Sequence, residues 1–468
     1  MPSNFFDKFP SVSELLDSPP LKQLVEQASR NVVVTNVKSF VGRMASDLQT
    51  RATEMKVPSV GELAERIAQW IAKQRAGGPQ AEINATGILL ADDYSLPLAE
   101  EALHRLDVTL RDYVGQRRGA ERNIAELLRQ LTGAEDALVT ATHSGAVLLA
   151  LAATGGEKPI VIARGEVGEI DSGVPLPQIA KSAGVTLREC GTVERTRSED
   201  LAEALIGAGA LLSVASTRYA IAGGATVPTT AELAALAKRQ QLELIADLGL
   251  GGLIDPTQFG LAGIPQASAT VAAGADIVIL SGDRLLGGPA CGVIVGRAAA
   301  IERLRKHALA PALAASPVVL LPLAATLELY QDLETAQRTI PLLALLTTNI
   351  ENLKNRAERL APQLAASPLV TSAQVVPGHA SLLGRELAGQ QLATWKIVLE
   401  PKALTSIQLA DKLRHLSLPV IVSVTGDRVV IDLRTVFPRQ DMQLAEAFQT
   451  VSSDEPQPAK SSPKDESA

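Results

Sequence analysis

Residues 276–296 read DIVILSGDRLLGGPACGVIVG. Two apolar runs rich in Val and Ile flank a compact loop of glycine, proline and charged residues. Runs this short, bounded by Gly and Pro, read as buried strands rather than helix. The shortness of the loop predicts one antiparallel edge pairing between them. Further runs stand upstream at DALVTA (136–141), PIVIA (159–163), LLSVAS (211–216) and LELIADLG (242–249). Helical stretches such as AERNIAELLRQL and TTAELAALAKRQ separate most of them. Alternation on this scale predicts an α/β fold, with a mostly parallel sheet between helices.

The chain divides around this block. Residues 1–78 read as a helical domain, with capping chemistry at Ser11, Glu14 and Ser18 and apolar positions at Leu21, Leu24 and Val25. Arg75–Pro79 is a linker by composition, and 79–337 is the large domain. Residues 338–451 read as a small α+β domain. It opens on one long helix from Ile340 to Leu360 that stops before Pro362, followed by strands at SAQVV and WKIVLE. A helix at SIQLADKLRHL then leads to a hairpin turning at Gly426-Asp427. The Pro/Ser-rich tail 452–468 reads as disordered.

Composition narrows the class. Of 468 residues, 46% are apolar but only 3% aromatic, so the core is built from small and aliphatic side chains. A net charge of −7 argues against DNA binding and confines any RNA contact to a local basic face. Six basic residues between Lys22 and Lys56 (Lys22, Arg30, Lys38, Arg43, Arg51, Lys56) face three acids there. On charge alone they read as a solvated helical face. Cys190 and Cys291 show neither metal nor disulfide spacing, and His104, His307, His379 and His415 are scattered, so no metal site is expected. The acid-bearing start is no signal peptide, and no apolar run spans a membrane, which points to the cytoplasm.

Eight segments, in order, resemble one family. They are FPSVSELLDSPPLKQLVEQ (9–27), INATG (83–87), RRGAERNIAELLRQLTGAEDALV (117–139), ARGEVGEI (163–170), ECGTVERT (189–196), IADLGLGGLID (245–255), SGDRLLGGPACGVIVG (281–296) and IDLRTVFP (431–438). The chain is similar along this length to bacterial selenocysteine synthase, L-seryl-tRNA(Sec) selenium transferase. The resemblance implies a fold-type-I transferase dependent on pyridoxal 5′-phosphate (PLP), with an N-terminal domain that grips tRNA and subunits that form a homo-oligomer.

A PLP enzyme needs a lysine amine for its Schiff base, a carboxylate on the pyridine nitrogen and a cup for the phosphate. Asp247 ends a predicted strand and matches the family's pyridinium aspartate; read without the family it is a strand-end turn residue. Ser144-Gly145-Ala146 open a helix after a strand, where backbone N–H groups suit a phosphate. Ser281 can add a hydroxyl. His143, where the family has asparagine, can stack on a bound ring.

The family reads Ser-Gly-Asp-Lys before Leu-Leu-Gly-Gly-Pro, whereas this chain has Ser281-Gly282-Asp283-Arg284. A guanidinium stays protonated and is no amine nucleophile, although it can hold a phosphate as a fixed fork. Lys158, Lys181 and Lys238 stand in surface-like contexts.

Other departures share a direction. The family's His-Thr-Asn-Leu-Gly-Arg becomes Ala91-Asp92-Asp93-Tyr94-Ser95-Leu96, and its Lys-Val-His-Thr-Ser-Asn-Tyr becomes residues 213–219, SVASTRY. Its Ser-Phe-Arg becomes Gly173-Val174-Pro175, and its Arg-Ala-Leu-Arg becomes Pro311-Ala312-Leu313-Ala314. Ala290 and Cys291 replace Gln and Ala, which reads Cys291 as a small buried filler rather than a nucleophile. Removing cations that stabilise developing charge costs about 2–4 kcal/mol each.

The expectation is therefore a binding or assembly paralogue that keeps the fold, holds PLP non-covalently if at all, and joins a homo-oligomer or a mixed ring with an authentic synthase. The alternative is an active selenium transferase. The roles of Arg195, Thr196 and the Arg117–Arg122 segment stay open, the last reading equally as a motif at the subunit or cofactor boundary or as a helix start with solvated arginines.

Overall fold

The computed structural model describes residues 10–27, 30–50, 59–75, 81–90, 95–111, 117–170, 173–215, 227–383, 391–416 and 418–451. The expected linker beyond Arg75, the substituted residues 91–94 and 216–219, and the tail 452–468 lie outside them. The chain forms two compact units, Met1–Glu82 with Ser417–Pro419, and Ile83–Leu416 with Val420–Ala468.

The first unit is helical: Val12–Leu16, Pro19–Gln27, Arg30–Thr50 and Val60–Arg75. Ser11 and Glu14 form the expected capping box, and Ser59 with Glu62 cap the last helix in the same way. Leu15, Leu21, Val33, Val37, Leu63, Ile67 and Ile71 form its core. Each such side chain removed from water contributes about 1.5–3 kcal/mol. Lys22, Arg30 and Lys38 are exposed.

The second unit carries fourteen strands among the described residues. They are β1 (Ile83–Ala85), β2 (Asp136–Thr140), β3 (Ile160–Ala163), β4 (Glu169–Ile170), β5 (Val174–Pro175), β6 (Leu187–Cys190) and β7 (Ala210–Val214). Then come β8 (Glu243–Asp247), β9 (Ile277–Ser281), β10 (Gly292–Gly296), β11 (Val370–Ser381), β12 (Gln391–Pro401), β13 (Val420–Thr425) and β14 (Arg428–Asp432). The main sheet has order β2-β10-β9-β8-β7-β3-β6, with β6, β3, β7, β8 and β9 parallel.

Side chains alternate between its two faces. Val161, Leu211, Leu244, Val278, Leu280 and Val293 join one core, and Ile162, Leu212, Ile245, Ile279 and Ile294 join the other. Helices cover both faces, which is why these strands read as unbroken apolar runs.

Three expectations need correction. The antiparallel strand β10 is not an edge: it lies between β9 and β2, antiparallel to both. The stretch from Ile340 is two helices, Pro341–Thr347 and Ile350–Ala365, because Asn349 caps the second by accepting from Glu351 N–H. Pro362 lies inside that second helix on its exposed side, four residues after the exposed Glu358 whose carbonyl it cannot bond.

The smaller sheet, β1-β13-β14-β12-β11, takes its edge strand from Ile83–Ala85, far upstream of the rest. Its β13–β14 hairpin turns at Gly426-Asp427 as expected, with Gly426 at φ 61° supplying the left-handed position.

Candidate functional site

Parallel strands β3, β7, β8 and β9 end on one side of the main sheet, where open α/β sheets bind ligands. Asp247 is the last residue of β8 and is 1% exposed. Its Oδ1 lies 2.8 Å from His143 Nε2 and accepts from Gly249 N–H at 3.0 Å. Its Oδ2 is buried and has no hydrogen-bond partner. A buried carboxylate oxygen without a donor is costly, and a ring N–H aimed at it would satisfy it.

His143 begins the helix His143–Gly155, whose N-cap Thr142 accepts from Gly145 N–H at 2.9 Å. The imidazole is buried and meets Asp247 through a ring nitrogen, a contact the sequence reading did not anticipate. Ser144 is half-buried, and Gly145 and Ala146 are buried in the same first turn. Residues 310–314 sit against this helix start. Ala141 N–H donates to Leu313 O at 2.8 Å, and Ala314 bridges Thr140. The segment where the resemblance implies two arginines thus reaches the site with alanine, leucine and proline.

The loop after β9 is tightly held. Gly282 N–H donates to Cys291 O (2.9 Å), and Gly287 N–H closes a turn on Arg284 O (2.9 Å). The buried Tyr330 hydroxyl donates to Leu286 O at 2.7 Å. A side chain at Gly282 would collide with Pro289 O and with Cys291 Sγ, so this crossing requires glycine. Cys291 is fully enclosed there, and burial pushes its thiol far above the usual range, which makes it an inert filler. Ser281 Oγ donates to Asp283 Oδ1 at 2.8 Å, and Arg284 is half-buried. Lys158, Lys181 and Lys238 are all exposed.

Sequence reasoning missed Glu166 and Ser213 as site residues. Ser213 Oγ donates to Glu166 Oε1 at 3.0 Å, across 47 positions of chain. Both line a cavity of about 320 Å³ at the strand ends, which Asp247 borders while its own side chain is fully enclosed. The raw signal was a glutamate just after a strand in ARGE, a pattern too common to single out. Arg195 is exposed in the turn that Thr192 N–H closes on its carbonyl, and Thr196 is buried. Among the described residues, no group of three or more His, Cys, Asp or Glu side chains gathers to hold a metal. No helix among them is long and apolar enough to cross a membrane.

Residues 83–437 match the family described as L-seryl-tRNA selenium transferase. The chain is 31% identical over 442 residues to the L-seryl-tRNA(Sec) selenium transferase of Geobacter sulfurreducens, covering 92% of this chain and 96% of that one. It is 33% identical over 460 residues to the Hyphomonas neptunium enzyme of the same name, covering 96% and 99%. Among solved structures, a D-glucosaminate-6-phosphate ammonia-lyase superposes with TM-score 0.59 at 20% identity, covering 81% of this chain and 97% of that one. That likeness carries the fold alone, the fold-type-I architecture of PLP-dependent enzymes.

Proposed function

Because the chain belongs to the L-seryl-tRNA selenium transferase family, we propose that it is a member that keeps the fold and binds without covalently anchoring a cofactor. The observation that carries this reading is Arg284 in the loop after β9, with no lysine between Ser281 and Gly296. PLP supplies an aldehyde and an electron-accepting ring when bound, and the residues present fit it as a reversible ligand. Asp247 would take the ring nitrogen on its unpaired Oδ2. Ser144, Gly145 and Ala146 at the helix start, with Ser281 and Arg284, would hold the phosphate. His143 fixes the Asp247 carboxylate from the side through Oδ1.

The protein's work would then be assembly or binding: a homo-oligomer or a mixed ring with an authentic synthase in the cytoplasm, with tRNA as the ligand of the helical unit. Equilibrium dialysis against PLP tests the site. The expected result is saturable binding that dialysis fully reverses and that Asp247→Asn weakens by about tenfold, as loss of one charged hydrogen bond does. Binding indifferent to Asp247→Asn would overturn the assignment. The match to active transferases over nearly the whole chain favours a second reading, conversion of seryl-tRNA(Sec) to selenocysteinyl-tRNA(Sec). Rescue of a synthase deletion strain by this chain would establish it.

A further inference from the structure

The helix start that would meet a phosphate already uses donors of its own. Gly145 N–H is taken by Thr142 Oγ1 at 2.9 Å, and Ala146 N–H closes the first intrahelical bond on Thr142 O at 3.1 Å. Ser281 Oγ has likewise given its proton to Asp283 Oδ1 at 2.8 Å, which sets a carboxylate beside that hydroxyl.

The backbone of Thr142 is pinned as well. Its carbonyl accepts from Thr140 Oγ1 at 2.8 Å, and a Cβ at Gly292 would lie 2.5 Å from it, so β10 packs directly against this turn. The neighbouring segment is apolar. A Cβ on Gly145 would lie 3.5 Å from Leu313 Cδ2. Leu313 packs in one cluster with Ala146, Val147 and Ala150 of the helix, and residues 310–314 carry no charged side chain. A dianion brought to this side gives up water and meets methyl groups in its place.

We infer that Thr142 and Leu313 are specificity-determining residues, which make the crevice recognise a pyridine ring and leave it nearly indifferent to the phosphate. The inference rests on the reading of the crevice as a reversible PLP site, and it widens the ligand class to pyridine rings without a phosphate ester. A phosphate held at the helix start exchanges internal hydrogen bonds for new ones, so its net gain is small. The ring nitrogen differs, because Asp247 Oδ2 has no partner to give up.

The test titrates the intact chain with pyridoxine and pyridoxine 5′-phosphate by calorimetry at pH 8, where the ester is a dianion. The two share a ring and differ in the phosphate alone, and neither carries an aldehyde that reacts with surface lysines. Their affinities for the wild type should agree within about threefold. Thr142→Val frees Gly145 N–H while keeping the shape of the side chain. It should shift the ratio about tenfold toward the ester, the factor of one hydrogen bond to a charged group. Leu313→Ala uncovers the turn without touching Thr142 and should shift the ratio severalfold in the same direction.

Wild-type preference for the ester of about tenfold or more overturns the inference. So does a ratio that neither variant moves. A shift away from the ester in Thr142→Val also overturns it, since the Thr142 hydroxyl would then be a phosphate ligand. The wild-type ratio decides the matter even if Thr142→Val, which lacks a helix cap, fails to fold. Binding of neither compound defeats the cofactor reading together with the inference, whereas a strong phosphate preference defeats the inference alone.

Discussion

Asp247 and Asp432 are built alike and do different things. Each is the last residue of its strand, each is buried, and each has an Oδ2 without a hydrogen-bond partner. Asp432 Oδ1 accepts from Thr394 Oγ1 at 2.6 Å and from Arg434 N–H at 3.0 Å, and Lys396 Nζ stands 3.7 Å from Oδ2. Gly87 presses on that oxygen: a Cβ there would lie 2.5 Å from Asp432 Oδ2. Asp247 is just as enclosed, but among the described residues no lysine or arginine stands so close to it, and its ion-pair partner is His143. An unpaired buried oxygen is therefore not by itself a site. The charge beside it separates a latch answered by Lys396 from a carboxylate answered by an imidazole.

The largest test of that contrast is Gly87→Val. Gly87 holds φ +80° and has no room for a side chain, so about 3 kcal/mol or more of stability should be lost in urea denaturation. A loss below about 1 kcal/mol would mean the latch is loose and the two aspartates alike.

Matched deletions sharpen the comparison further. Thr394→Val removes a donor from Asp432 where water cannot follow, and should cost about 2 kcal/mol. His143→Leu leaves an equally enclosed carboxylate with the Gly249 N–H and no cation beside it, and should cost more, about 3 kcal/mol. Equal costs would erase the distinction.

The smallest effect is a slope. Burial raises Glu166 from 4.5 to about 7, so the folded chain holds its proton more tightly than the unfolded chain. That contribution is complete below pH 4.5 and fades as pH rises through 7. Relative to wild type, Glu166→Gln should therefore gain stability between pH 5 and pH 8. A constant difference across that range would place Glu166 in water.

Much of the architecture was legible because burial on both faces forces continuous apolar runs. Strands β2, β3, β7, β8, β9 and β10 were read from such runs. Strand β6 was not, since Leu187-Arg188-Glu189-Cys190 sits at the sheet edge with its charged residues half or fully exposed. The interior place of β10 was hidden because order across a sheet depends on packing between distant segments. In the site, Asp247 was legible from its place at a strand end and from the family resemblance. The Glu166–Ser213 pair and the lone Asp247 oxygen were not, because they exist only once β3, β7 and β8 lie side by side. His143 shows the same limit: its residue type suggested stacking, and the fold brings its ring nitrogen to a carboxylate.

The central claim is that this chain cannot anchor PLP covalently. The direct measurement is borohydride reduction of the protein with excess PLP, followed by peptide mass spectrometry, with Arg284→Lys beside it. The account predicts no stoichiometric adduct on wild type and one adduct per chain at position 284 in the variant. A stoichiometric adduct at a single lysine of the wild-type chain would contradict it and would identify the residue that does the anchoring.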